Sequence, residues 1–315
     1  MIDTYGENCI EEVLSFFKNS RIFATNDMSL ENRRAIEREM TKKDDLDNGY
    51  NPYQTTTEPG AYYSYEPIYV NGSIEDEIRW IVVNTKDGEK YREIFGIPLN
   101  MPYFLHELNH AFTMQNPVYE RKDNIIHSKH GMYTEILQIT NDKTETIDSS
   151  DIILEEIINE LYTQRQLTKL SGKESYNEVD IGLRKINHVS STYNPVLIML
   201  AERFEDLIGK DKLFNYRKNN DMSIKDEFNS LASMSSIKEK YFPDMDAWDY
   251  FSSKCFEIFT LSNNKIKYID NIEEYGNIQR KLIFEAFAPL CAYREIKQGD
   301  MNIERYEEII AENSR

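Results

Sequence analysis

The chain has 315 residues, of which 40% are hydrophobic and 12% aromatic, enough to build one large or two medium domains around a sizeable core, and this excludes a disordered polypeptide. A net charge of -18 and a pI near 4.8 exclude a nucleic-acid or anionic-membrane partner, because phosphate binding needs a basic face that this composition does not supply. Cys9, Cys255 and Cys291 are far apart and lack any CxxC spacing, so they are expected to be reduced, buried thiols and not a disulfide framework or a cysteine metal site.

The N-terminus carries no basic stretch followed by an apolar run, and no window approaches 18 uncharged apolar residues, so the expected setting is the cytoplasm with no membrane partner. Residues 8 to 40 read as two helices. The first has an apolar stripe of Ile10, Val13, Leu14, Phe16 and Phe17, and the second, Leu30 to Met40, is capped by Ser29. The Asp, Asn, Gly, Thr and Pro run from Lys42 to Gly60 reads as a loop or linker. Strands are expected over Ala61 to Tyr69, which is rich in aromatics, and Ile78 to Val83, which is β-branched and ends at the Asp87-Gly88 turn signal.

The next segment, Pro102 to Phe112, carries the most specific pattern in the chain. His106 and His110 are four apart, so on a helix their imidazoles project from one face and can grip a single metal ion. Glu107 follows the first histidine, where its carboxylate can reach a water on that metal. With only five histidines in the chain, the chance expectation for HExxH is about 0.01 matches, which gives the motif weight. Asn100 as cap, Pro102 in the first turn, and Leu105, Leu108 and Phe112 at apolar helical positions support a helix here. The plainer alternative is a core-packing helix whose two histidines are satisfied by hydrogen bonds.

Asn116-Pro117 ends that helix, and residues 118 to 150 alternate short strand-like runs with polar turns. A second helix runs from about Asp151 to Leu167, opened by Ser149 or Ser150, with Ile153, Leu154, Ile157, Ile158 and Leu161 on its buried side. Glu156 and Glu160 share one face of it. Four-coordinate catalytic zinc needs a third protein ligand, and a glutamate from a second helix is one known solution, which makes Glu156 the candidate. Glu160, one turn on, is placed to accept the remaining N–H of a ligand histidine. In so acidic a chain both would otherwise be ordinary surface acids. His127 and His130 are alternative third ligands, set in polar surroundings that read as a loop.

The sequence His106-Glu107-Leu108-Asn109-His110 followed by Glu155-Glu156-Ile157-Ile158-Asn159-Glu160 resembles the gluzincin metallopeptidases, the group of thermolysin, over roughly residues 61 to 215. In that group an HExxH helix is followed by a helix with an Asn-Glu-Xaa-Xaa-Xaa-Asp type signature. Here Glu155 stands where Asn often precedes the ligand, and Glu160 replaces Asp. The resemblance implies zinc held by His106, His110 and Glu156, with Glu107 as general base and Glu160 orienting a histidine. It further implies a tyrosine or histidine near the start of a later helix facing the oxyanion, for which Tyr193 or His188 is the candidate. A metzincin site is excluded because Thr113 and Asn116 occupy the positions where HExxHxxGxxH requires Gly and His.

Asn194, Pro195 and Gly209 delimit a further helix, with Val196, Leu197, Leu200, Phe204, Leu207 and Ile208 on its buried stripe. More helices follow, interrupted at Phe242-Pro243-Asp244 and at Asn263 to Lys265, with Phe251, Phe256 and Phe259 spaced for packing, and Glu304 to Arg315 reads as a charged helix end.

The expected fold is therefore α+β and gluzincin-like, with a small twisted sheet and a zinc-binding helix pair followed by a mainly helical C-terminal lobe. The expected division is 1–60 for N-terminal helices and linker, 61–170 for the catalytic lobe and 171–315 for the helical lobe. The expected function is zinc-dependent hydrolysis of a peptide or protein substrate, laid as an added strand along the sheet edge at Trp80 to Asn84. The alternatives are a regulatory peptidase of the ImmA/IrrE kind, or a non-catalytic binding module that keeps a vestigial site.

Overall fold

A computed structural model describes residues 10–41, 60–70, 73–86, 88–114, 117–140, 143–171, 178–180, 185–187, 193–219, 221, 223–268, 270–299, 302, 304–305 and 308. In chain order these form α1 (Ile10–Asn19), β1 (Arg21–Thr25), α2 (Leu30–Thr41), β2 (Ala61–Val70), β3 (Ser73–Asn84), α3 (Gly88–Phe95) and α4 (Met101–Thr113). There follow β4 (Val118–Lys122), β5 (Ile125–His130), β6 (Tyr133–Thr140), β7 (Lys143–Ser150), α5 (Ile152–Ser171), β8 (Glu178–Asp180) and β9 (Lys185–Asn187). The rest is helical: α6 (Pro195–Ile208), α7 (Lys210–Asn219), α8 (Ser223–Ala232), α9 (Ser236–Tyr241), α10 (Ala247–Asn263), a 3-10 turn at Lys265–Tyr268 and α11 (Ile272–Gln298). The fold is mixed α+β, with small sheets and a helical C-terminal region.

The chain divides into two compact units. One comprises Met1–His130, Glu135–Ser149 and Tyr162–Glu174, and the other Gly131–Thr134, Ser150–Leu161 and Ser175–Arg315. Helix α5 gives its first half to the second unit and its second half to the first.

In the first unit a three-stranded sheet has the order β1-β3-β2, with β1 parallel and β2 antiparallel to β3. The central strand is buried on both faces, which is why Trp80-Ile81-Val82-Val83 reads as an unbroken apolar run and not as an alternation. Trp80 and Val82 pack with Met28, Met40 and Tyr62, and Phe23, Ile36 and Ile78 close around them. Helix α4 packs on β2 and β3, and its Phe112 meets Phe16 of α1 edge to face at 6.0 Å. A second sheet runs in the order β4-β5-β6-β7. It joins the first through the ring of His130 on β5, which stacks on Tyr65 of β2 at 4.3 Å and meets Tyr119 of β4 edge-on at 5.4 Å.

In the second unit Phe204, Phe228, Trp248 and Phe251 form an aromatic centre, with ring centroids 5.3 to 6.1 Å apart. Trp248 donates its indole N–H to Asp151 at 3.0 Å, just ahead of α5, and burial raises the Asp151 carboxyl above its usual range. One turn further, Glu155 meets Arg217 of α7, both side chains being almost fully buried. Arg217 also donates to Asn159 at 3.0 Å, and the Met132 N–H donates to Glu155 at 2.9 Å. Gly131, at φ +62, lies so close that an added Cβ would sit 2.9 Å from the Glu155 carboxylate. Glu227 of α8 accepts from Lys212, Tyr293 and Lys297, and these partners, Lys212 first, pull its carboxyl down to about 2. The buried thiols Cys255 and Cys291 are free, and burial pushes Cys291 up to about 12.

The sequence places several elements where the structure has them, including the Asn194 cap, whose side chain accepts from Val196 N–H, and the Gly209 stop. Ser29 likewise accepts from Asn32 N–H ahead of α2. Other expectations are corrected. Residues 8 to 40 hold not only helices but also β1, a five-residue strand too short to show a period. The turn expected after β3 is present, with the Gly88 N–H donating to the Thr85 carbonyl at 2.9 Å, and Gly88 also opens α3. Asn100 precedes α4, but its side chain makes no capping bond. Helix α5 starts after Asp151, which adopts φ +62, while Ser149 and Ser150 end β7. Trp80 to Asn84 is not an edge, because β1 and β2 pair with it on both sides. Phe256 is exposed. His188, the Lys42 to Gly60 loop up to residue 59, Cys9 and most of Glu304 to Arg315 lie outside the described residues.

Replacing Glu155 with Ala strands the Arg217 charge in the interior, so the variant is expected to lose about 3–5 kcal/mol of stability in urea unfolding. A loss under about 1 kcal/mol would contradict this reading of the pair.

Candidate metal centre

The site is built on α4 and α5. Helix α4 forms because Leu105, Leu108 and Phe112 give it an apolar side and Pro102 suits its first turn. The same spacing sets His106 and His110 one turn apart on one face, both buried. Their Nε2 atoms lie 3.1 Å from each other. Two nitrogens bound to one tetrahedral metal at about 2.0–2.1 Å would be roughly 3.3 Å apart, so the pair already has the separation of two ligands on a common ion.

Helix α5 is tied to α4 by a buried polar lock. The Asn109 and Gln166 amides exchange hydrogen bonds, Nδ2 to Oε1 at 3.1 Å and Nε2 to Oδ1 at 3.0 Å, and Asn109 also donates to Thr163 at 3.1 Å. A reciprocal amide pair fixes both the separation and the rotation of two helices, because each side chain must present its acceptor and donor together. Along the same helix Glu156 stands seven residues before Thr163, two turns back on the same side. The ligand atoms of His106, His110 and Glu156 all lie within 4.8 Å of one another. Three donors, two imidazole nitrogens and one carboxylate oxygen, could thus hold a metal ion.

Glu107 is positioned by the sheet. One of its carboxylate oxygens accepts the backbone N–H of Tyr63 at 2.8 Å, which holds that oxygen against β2. Tyr193, immediately before the Asn194 cap of α6, donates its phenol O–H to Glu156 Oε2 at 2.6 Å. Glu160 is buried on α5 one turn beyond Glu156. His127 and His130 belong to strand β5 and not to a loop. His127 is exposed and His130 is buried, and among the described residues it is Glu156 that joins the histidine pair. Sequence reading did not single out Asn109, Thr163 or Gln166. The usable signal was only that all three are polar residues at buried positions of two helices.

No family model, curated protein or solved structure matches this chain.

Burial, followed by the positive charge of Arg79, pushes the His130 imidazole down to about 3, so the ring is neutral in its stack. In the unfolded chain it titrates near 6.5, so between pH 6.5 and about 3 the unfolded state binds the extra proton. The contribution of His130 is therefore present above pH 6.5 and is lost as pH falls toward 3, at up to about 1.4 kcal/mol per pH unit. Thermal unfolding of the parent between pH 7 and 5 should fall more steeply than that of His130→Phe, which keeps the stacked ring. Parallel curves would contradict a buried, neutral histidine.

Proposed function

We propose that the protein is a zinc-dependent peptidase of the gluzincin kind. The observation that carries this reading is the 3.1 Å approach of two imidazole nitrogens with the Glu156 carboxylate beside them and Glu107 held one residue away. Two nitrogens and one carboxylate oxygen, which leave the fourth position of a tetrahedral ion to water, are the donor set of a catalytic zinc site, not of a closed structural one. A bound zinc would supply Lewis acidity, polarising a carbonyl and making a nearby water acidic enough to attack at neutral pH.

The residues of the chain do the rest. Glu107 takes the proton of the attacking water and passes it to the leaving amine, and the Tyr63 N–H keeps its carboxylate aimed throughout. Glu160, buried on the same helix as the third ligand, is the proposed acceptor for the second N–H of a ligand histidine. The substrate strand must be re-sited, since β3 is interior. Asn84 N–H donates to the Gly60 carbonyl, so with the two-residue alternation of an antiparallel pair Gly60, Tyr62 and Ser64 turn their backbone groups to β3. Ala61, Tyr63 and Tyr65 turn theirs to the outer edge, as the Tyr63 N–H bond to Glu107 requires. Glu107 already takes the Tyr63 N–H, so an extended peptide added to that edge of β2 would pair at Ala61 and Tyr65, on either side of the Glu107 carboxylate.

The test uses two variants. Glu107→Gln is expected to retain about one zinc per chain and to lose at least about 100-fold in cleavage of a peptide library, while Glu156→Ala is expected to bind zinc at least about 100-fold more weakly, with a residual affinity from the two histidines. A Glu107→Gln protein as active as the parent removes the hydrolase reading, and a parent that binds zinc yet cleaves nothing points to the non-catalytic module.

A further inference from the structure

Tyr193 carries an inference that rests on the zinc reading above and refines it. A glutamate that gives one oxygen to a metal has a second oxygen, and the direction in which that oxygen is held decides where the first one points. In this chain Glu156 Oε2 receives the Tyr193 phenol at 2.6 Å, a distance in the range of a short, charge-assisted O–H···O bond. The phenol is itself held in place. Its residue adjoins Asn194, whose side chain caps α6 through Val196 N–H at 3.0 Å and reaches Ser262 of α10 at 2.9 Å. Its ring lies against Phe259 of the same helix at 5.9 Å.

A phenol has a single O–H to donate. While that proton is on Glu156 it cannot also stabilise an oxyanion, so the two roles exclude each other as long as this bond stands. We infer that Tyr193 is a positioning residue for the third metal ligand: it holds Oε2 of Glu156 and so presents the other carboxylate oxygen to the metal, and the oxyanion is stabilised by other groups.

The experiment measures zinc affinity by competition with a chromophoric chelator, and the visible spectrum of the cobalt-substituted protein, for the parent, Tyr193→Phe, Glu156→Ala and the double variant. Phe keeps the ring against Phe259, and unfolding of the metal-free proteins verifies that each variant is folded. Tyr193→Phe is expected to weaken zinc binding by roughly 10–100-fold and to alter the cobalt spectrum. In the Glu156→Ala background the same substitution is expected to change the residual affinity less than about 2-fold, because its effect is routed through that carboxylate. If Tyr193→Phe binds zinc as tightly as the parent with an unchanged cobalt spectrum, or if it weakens binding equally with and without Glu156, the inference is overturned while the metal site stands. A parent that binds no zinc overturns the site itself, and the inference with it.

Discussion

The arrangement depends on one buried contact, the exchange of hydrogen bonds between the amides of Asn109 and Gln166, with Thr163 as third partner. Apolar packing alone allows two helices to slide or roll against each other at small cost, because methyl and methylene contacts are non-directional. Amides do not allow this, since each bond made is also a desolvation cost if lost. Asn109 lies between the two histidines of its helix, and Gln166 lies on the helix that carries Glu156. The lock therefore fixes how the histidine helix meets the C-terminal half of α5.

Around that contact the neighbours of Glu156 divide the work by direction. Glu155, rotated about 100° from it on the helix, turns into the interior of the second unit, where Arg217 and the Met132 N–H meet its charge and Asn159 in turn accepts from Arg217. A buried pair of this kind contributes little against an apolar substitute, but it penalises any rotation of α5 that turns Glu155 away, because that would leave the guanidinium buried without its carboxylate. Glu156 on the adjacent face keeps its own partner in Tyr193. Two consecutive glutamates thus have different surroundings and different roles, one anchoring the helix and the other facing the histidines.

Much of this was readable from residue order, for reasons that differ by residue. The placing of His106 and His110 on one helix face, and of Glu156 and Glu160 on one face of another, is legible because helical spacing is a local property, and four residues along a helix always return to one face. The cap at Asn194 and the stop at Gly209 are legible for the same reason. The pairing of strands is not local. Trp80 to Asn84 looked like a free edge because β1, its parallel partner, is a five-residue stretch with no period of its own, separated from β3 in sequence by a helix and another strand. Asn109 and Gln166 were invisible as a pair, since nothing in either helix alone says which polar residue meets which across 57 positions. The Tyr193 contact was anticipated as a residue near the site, but its partner is set by where the α6 cap falls in space.

X-ray absorption at the zinc edge of the metal-loaded protein tests the central claim most directly, because it reads the atoms around the ion and needs no substrate. The account predicts a first shell of nitrogen and oxygen at about 2.0–2.1 Å with the multiple scattering of two imidazoles. A shell containing sulfur near 2.3 Å, fewer than two imidazoles, or a protein that retains no zinc after desalting would contradict it.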